Sequence, residues 1–121
     1  MWVTKTLTAG TLLLAIGVAG LPADAAKVKS KPPIPFSEEV LGDQARVDGG
    51  REIWQDQCAH CHGSKAYPGK APKLKPARYK ADFVYRRVTD GFRKMPAWID
   101  VYSDEERMNV TTYIMSDQFS P

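Results

Sequence analysis

Apolar positions recur at helical spacing in three stretches of the chain, which is otherwise poor in strand signals, so the pattern predicts an all-α protein. The first helix is expected over residues 47–58, where Gly50, Ile53, Trp54 and Gln57 fall at helical intervals and only Ile53 and Trp54 form an apolar stripe. A second is expected near 81–90, with Phe83, Val84 and Val88 on one side and Gly91 placed to end it in a left-handed conformation. The third opens on Ser103-Asp104-Glu105-Glu106, an S-x-x-E capping box with acid in the first turn. It continues through Met108, Val110, Tyr113, Ile114 and Met115 to about Asp117. Between the first two, residues 63–79 carry Pro68, Gly69, Pro72 and Pro76 and read as a loop.

The N-terminal pattern differs. Lys5 is followed by an uncharged, mostly apolar run over 7–21, then Pro22 and Ala23-Asp24-Ala25, which predicts a secretory signal peptide over 1–25 cleaved before Ala26. The competing reading, an uncleaved anchor, asks about fifteen residues to span ~22 Å where the hydrocarbon core needs ~30 Å. No stable membrane insertion is therefore expected after cleavage. Residues 26–45, with Pro32, Pro33 and Pro35 and no periodicity, are expected to form an extended Pro-rich arm, leaving 46–121 as the compact domain.

Length and composition narrow the function. A chain of 121 residues holds one domain, and 17 basic against 14 acidic groups give a net charge of only +3, which speaks against a nucleic-acid binder. The domain has few apolar residues to bury, and a fold of this size usually needs a covalent staple, a metal or a large cofactor.

The motif that answers this need is Cys58-Ala59-His60-Cys61-His62, the C-x-x-C-H attachment site of c-type haem. Two sulfurs one helical turn apart reach both haem vinyl groups, and the next residue aims an imidazole at the iron. A thioredoxin-like pair would need a βαβ setting that this chain lacks. A zinc site would need further soft ligands that are not there. A chance match without chemistry is the third alternative. The chain holds two cysteines in all, too few and too close for the disulfide framework of an exported protein.

A second axial ligand must come from the other haem face. The chain has two histidines, and His60 is locked inside the attachment turn, so methionine is the candidate. Met108 and Met115 lie seven apart on the third helix and are most simply one buried face. Met95 stands in the loop 91–96, with Pro96 stiffening the backbone behind it. The expected iron ligands are His62 and Met95, with Cys58 and Cys61 binding one covalent haem c.

At this point residues 46–121 resemble the class I c-type cytochromes, the monohaem family with His/Met ligation. The resemblance rests on Gly50 and Ile53-Trp54 ahead of Cys58, on Gly63 after His62, on Ala71-Pro72-Lys73-Leu74, on Met95-Pro96, and on Ser103-Asp104-Glu105-Glu106 with Tyr113. It implies a small cytochrome c fold, three main helices wrapped around one haem. It also implies that Gly50 touches Tyr113 where the terminal helices cross, and that the Pro72 carbonyl accepts the His62 ring N–H. His62 and Met95 stand only 33 positions apart, which is short for this family and implies trimmed loops on one haem edge.

The implied function is a periplasmic, non-enzymatic electron carrier between a dehydrogenase or respiratory complex and a terminal oxidase or reductase. The alternative is a tightly bound haem c subunit of one periplasmic oxidoreductase, such as a quinoprotein alcohol or sulfite dehydrogenase, with the arm as docking segment. A reactive or gas-sensing haem follows if Met95 does not bind. No small-molecule substrate is expected, since neither histidine is free for acid-base work.

Charge along the chain points to protein partners. Residues 64–95 hold ten Lys or Arg against Asp82 and Asp90, or +8, and residues 96–121 hold Arg107 against five acids, or −4. Lys65, Lys70, Lys73, Lys75, Arg93 and Lys94 are expected to ring the haem edge and steer it onto an acidic partner. Among the aromatics Tyr67, Tyr79, Phe83, Tyr85, Phe92 and Trp98, several are expected to wall the haem, with Trp98 or Tyr79 donating to a propionate.

Overall fold

Ser103 gives the chain its clearest local instruction. In the computed structural model, which describes residues 30–119, its hydroxyl accepts the Glu106 N–H while the Glu106 carboxylate accepts the Ser103 N–H. Helix α5 (Asp104–Met115) starts from this reciprocal cap. The elements before it are α1 (Glu38–Leu41), α2 (Gln44–Ile53), a π-helical turn (Trp54–Cys58), α3 (Ala59–His62), a 3-10 turn (Pro76–Arg78) and α4 (Ala81–Asp90). Among the described residues there is no strand, only an isolated bridge between Phe92 and Met95. The signal peptide expected over 1–25 and the first residues of the arm lie outside the described residues.

Two expectations are corrected at the N-terminal side. The arm is not extended over its whole length, because Ser37 caps the short α1, and α2 begins at Gln44, ahead of the domain boundary expected at Arg46. Asp43 is the cause: its carboxylate accepts the N–H groups of Ala45 and Arg46 and satisfies donors that a helix start leaves orphaned. From Gln44 to His62 the backbone stays helical at both joins, so α2, the π turn and α3 carry the chain from the cap to the last residue of the C-x-x-C-H motif.

The core lies where α2 crosses α5. Gly50 is required there, since a Cβ would stand 2.1 Å from the Asn109 carbonyl oxygen and 2.8 Å from the Tyr113 Cβ. Trp54 sits beside the crossing, edge-on to Phe119 at 4.6 Å, and Tyr113 meets Phe119 at 5.3 Å. Val47, Val84, Val88, Val110 and Ile114 complete the buried set. Helix α4 packs on α5 and ends, as expected, at Gly91 with φ +70°.

The Pro-rich arm lies against α4. Ser30 Oγ donates to Asp90 at 2.7 Å, and the Phe36 ring stands 6.1 Å from that of Tyr85. Among the described residues no helix is long and apolar enough to cross a membrane.

Candidate functional site

The π turn delivers Cys58 and the following α3 delivers Cys61 and His62, three residues in just over one helical turn. Both cysteines are free, Cys58 half-buried and Cys61 exposed. Burial pushes the Cys58 thiol up to about 11. That shift moves Cys58 away from the thiolate form that thiol–disulfide exchange uses.

His62 is half-buried, its ring 5.6 Å from that of Trp54. Burial lowers its pKa and keeps the imidazole neutral, the form that offers a lone pair to a metal. Its Nδ1 is buried without a hydrogen-bond partner. The bond from His62 to the Pro72 carbonyl that the family resemblance implies is therefore not made. His60, by contrast, is exposed and turned back onto the Gln57 carbonyl at 3.1 Å.

Backbone contacts hold the loop after α3 against the motif. Gly63, at φ +86°, admits the Pro68 carbonyl where a Cβ would stand 2.2 Å from it. The Ala71 N–H donates to the Cys61 carbonyl at 2.8 Å. Trp54 Nε1 donates to the Ser64 and Gly63 carbonyls at 3.0 and 3.2 Å, so the core indole also braces the exit from the motif. The sequence marks Trp54 as apolar stripe and gives no signal of this second role.

Met95 lies in a closed turn after α4. Phe92 and Met95 exchange N–H to carbonyl bonds at 3.0 and 2.9 Å, with Arg93 at φ 53° between them. Its side chain is half-buried against the core. Met108 is 1% exposed and Met115 half-buried on α5, consistent with packing roles. The aromatics divide: Tyr79, Phe83 and Trp98 are half-buried against the core, whereas Tyr85 is sealed and donates to Asp104 at 2.8 Å. Tyr67 and Phe92 are exposed, with Lys73 over Tyr67 at 4.0 Å and Arg87 over Phe92 at 4.2 Å. Tyr85 is therefore taken up inside the protein's own core.

These residues fit a covalent haem. The motif offers two free thiols at the right spacing and a neutral imidazole, and a loop thioether stands elsewhere. Leu74, Tyr79, Phe83 and Trp98, from separate segments, are only partly buried against the core.

Comparison with known proteins agrees. Residues 45–114 match the family model described as cytochrome c oxidase, cbb3-type, subunit III. The chain is also 32% identical over 88 residues to the 4-cresol dehydrogenase [hydroxylating] cytochrome c subunit of Pseudomonas putida, covering 69% of this chain and 76% of that one. No solved structure matches it.

Proposed function

The chain belongs to the c-type cytochromes and carries electrons through a covalent haem c; on that premise we propose that Cys58 and Cys61 form the thioethers and that His62 and Met95 are the iron ligands of a periplasmic carrier. A bound haem would supply one-electron redox chemistry, and with His62 and Met95 both holding its iron it would leave no place for substrate or oxygen. The protein's own part is to hold those positions. Cys58 and Cys61 fix the attachment on α3 and the turn before it, the neutral His62 presents its lone pair, and the loop 91–96 presents Met95. Tyr79 or Trp98 would donate to a haem propionate. Residues 1–25 direct export and are removed, and the Pro-rich arm leads into the domain.

The observation that carries this reading is where the described methionines stand: Met108 is sealed and Met115 half-buried on α5, whereas Met95, also half-buried, is held in a hydrogen-bonded turn off any helix. The mature protein should gain the mass of one haem, and its ferrous form should not bind CO quickly. A chain without haem mass from cells with working attachment machinery, or immediate CO binding, overturns it.

A second reading is favoured by the relative, which is named as a subunit of a dehydrogenase. In it the chain is a fixed haem subunit of one oxidoreductase, docked through the Pro-rich arm. Size-exclusion of a native extract separates the two, since a carrier elutes alone and a subunit with its enzyme.

A further inference from the structure

A backbone carbonyl outside regular structure needs a donor from a side chain or from water. Between Met95 and α5 the chain runs through residues 96–103 without helix or strand, and two carbonyls of that segment take one donor. Arg107 Nη1 donates to the Ile99 carbonyl at 3.0 Å and to the Tyr102 carbonyl at 2.9 Å. Its Nη2 donates to Asp104 and to the Tyr85 hydroxyl, the latter at 3.3 Å. Arg107 is 4% exposed, a rare condition for an arginine, and its Nε is buried without a partner. Burying a guanidinium costs desolvation energy that an aliphatic residue in the same place would not incur. What the guanidinium supplies in return is direction, one fork that fixes two carbonyls of a single segment against α4 and α5.

That segment is tied to α4 three residues after Met95. The Val101 and Tyr102 N–H groups both donate to the Trp98 carbonyl, at 3.1 and 3.0 Å, and the Trp98 N–H donates to the Val88 carbonyl on α4 at 3.1 Å. The Phe92 to Met95 turn lies just before. We infer that Arg107 is a positioning residue for the Met95 thioether, holding the far end of the segment 91–102 so that the turn bearing Met95 cannot swing away from the iron. This rests on the reading of Met95 as the sixth ligand.

The test uses the haem-loaded protein as wild type, Arg107→Gln, Arg107→Lys, Met95→Ala and Val110→Ala. Two quantities are read: the far-red charge-transfer band that methionine sulfur gives with ferric haem, and the rate at which excess imidazole displaces the sixth ligand. Arg107→Gln should speed displacement about tenfold or more, the factor set by losing one charge-assisted hydrogen bond. Arg107→Lys, which keeps the charge and donors but not the fork, should lie between it and wild type. Val110→Ala controls for mere loss of stability, since Val110 is a buried α5 residue in the core; it should lower the unfolding midpoint and leave displacement at the wild-type rate. Wild-type displacement in both Arg107 variants, or equal acceleration in Val110→Ala, overturns the inference. If Arg107→Gln does not fold, Arg107→Lys decides by the same comparison. A band that survives in Met95→Ala overturns the ligand assignment and the inference with it, whereas a band lost there beside unaltered Arg107 variants overturns the inference alone.

Discussion

Burial alone gives Met95 and Met108 opposite predictions. Met108 is 1% exposed on α5, and Met95 is half-buried in a loop. If Met95 is the sixth ligand, Met95→Ala removes a thioether that favours ferrous iron, so it should abolish the far-red band, admit CO and lower the potential. Met108→Ala removes packed volume from the interior and should cost about 2–5 kcal/mol of stability while the band persists. Visible spectra and denaturant unfolding of the two variants check this, and the opposite pattern would move the ligand to α5. The same scale explains why the partnerless Nδ1 of His62 is informative. One buried ring nitrogen of the half-buried His62 is left unpaired, which a finished protein ordinarily avoids, and the ring follows directly on the thiol of Cys61.

At the scale of elements, the capping box of α5 carries a prediction in two parts. Ser103→Ala removes the hydroxyl that accepts the Glu106 N–H and should cost about 1 kcal/mol, read from the unfolding midpoint. Hydrogen bonds from the Ser103 N–H and hydroxyl hold the Glu106 carboxyl below its ordinary value of 4.5. A carboxyl lowered in the folded state stabilises above its unfolded value, and that contribution is lost as pH falls through the folded one. Acid titration of stability should therefore be shallower below about pH 4.5 in Ser103→Ala than in wild type; an unchanged profile would deny the box its role. Helices α4 and α5 were legible in the sequence because Gly91 and Ser103 mark their ends by chemistry that acts within a few residues. The start of α2 was hidden because Asp43 stands at the end of a Pro-rich stretch and the helix it opens shows water a polar face. The π turn leaves no mark in apolar spacing. The candidate site was legible where it is local, in the five residues 58–62, and Met95 stood out as the candidate because Met108 and Met115 fit one helical face. Arg107 could not, since in sequence it is one cation among acids and its burial depends on where the segment 96–103 folds.

At the scale of the whole molecule, charge is divided along the chain more sharply than the net +3 shows. Residues 64–95 carry +8 and residues 96–121 carry −4. Part of the second group is used internally, since Asp104 pairs with Arg107 on the first turn of α5. The basic stretch is left facing water: Lys65, Lys70, Lys73, Lys75, Arg93 and Lys94 are all exposed, and among the described residues the close ion pairs are those of Arg46, Arg51 and Arg107, none of them in this stretch. Exposed charges of one sign near a redox centre bias which small reagent reaches it, and the bias weakens as salt shortens the screening length. If these side chains surround the haem edge, oxidation of the ferrous protein by ferricyanide should slow as ionic strength rises, while oxidation by a cationic cobalt complex should quicken. Lys73→Glu should reduce both slopes, and Glu39→Lys, at exposed α1 outside the basic stretch, should alter them less. Stopped-flow rates over a salt series measure the slopes directly. Equal salt dependence for the anionic and cationic reagents would mean that the basic stretch lies away from the edge through which electrons pass, and that partner docking is governed by another face.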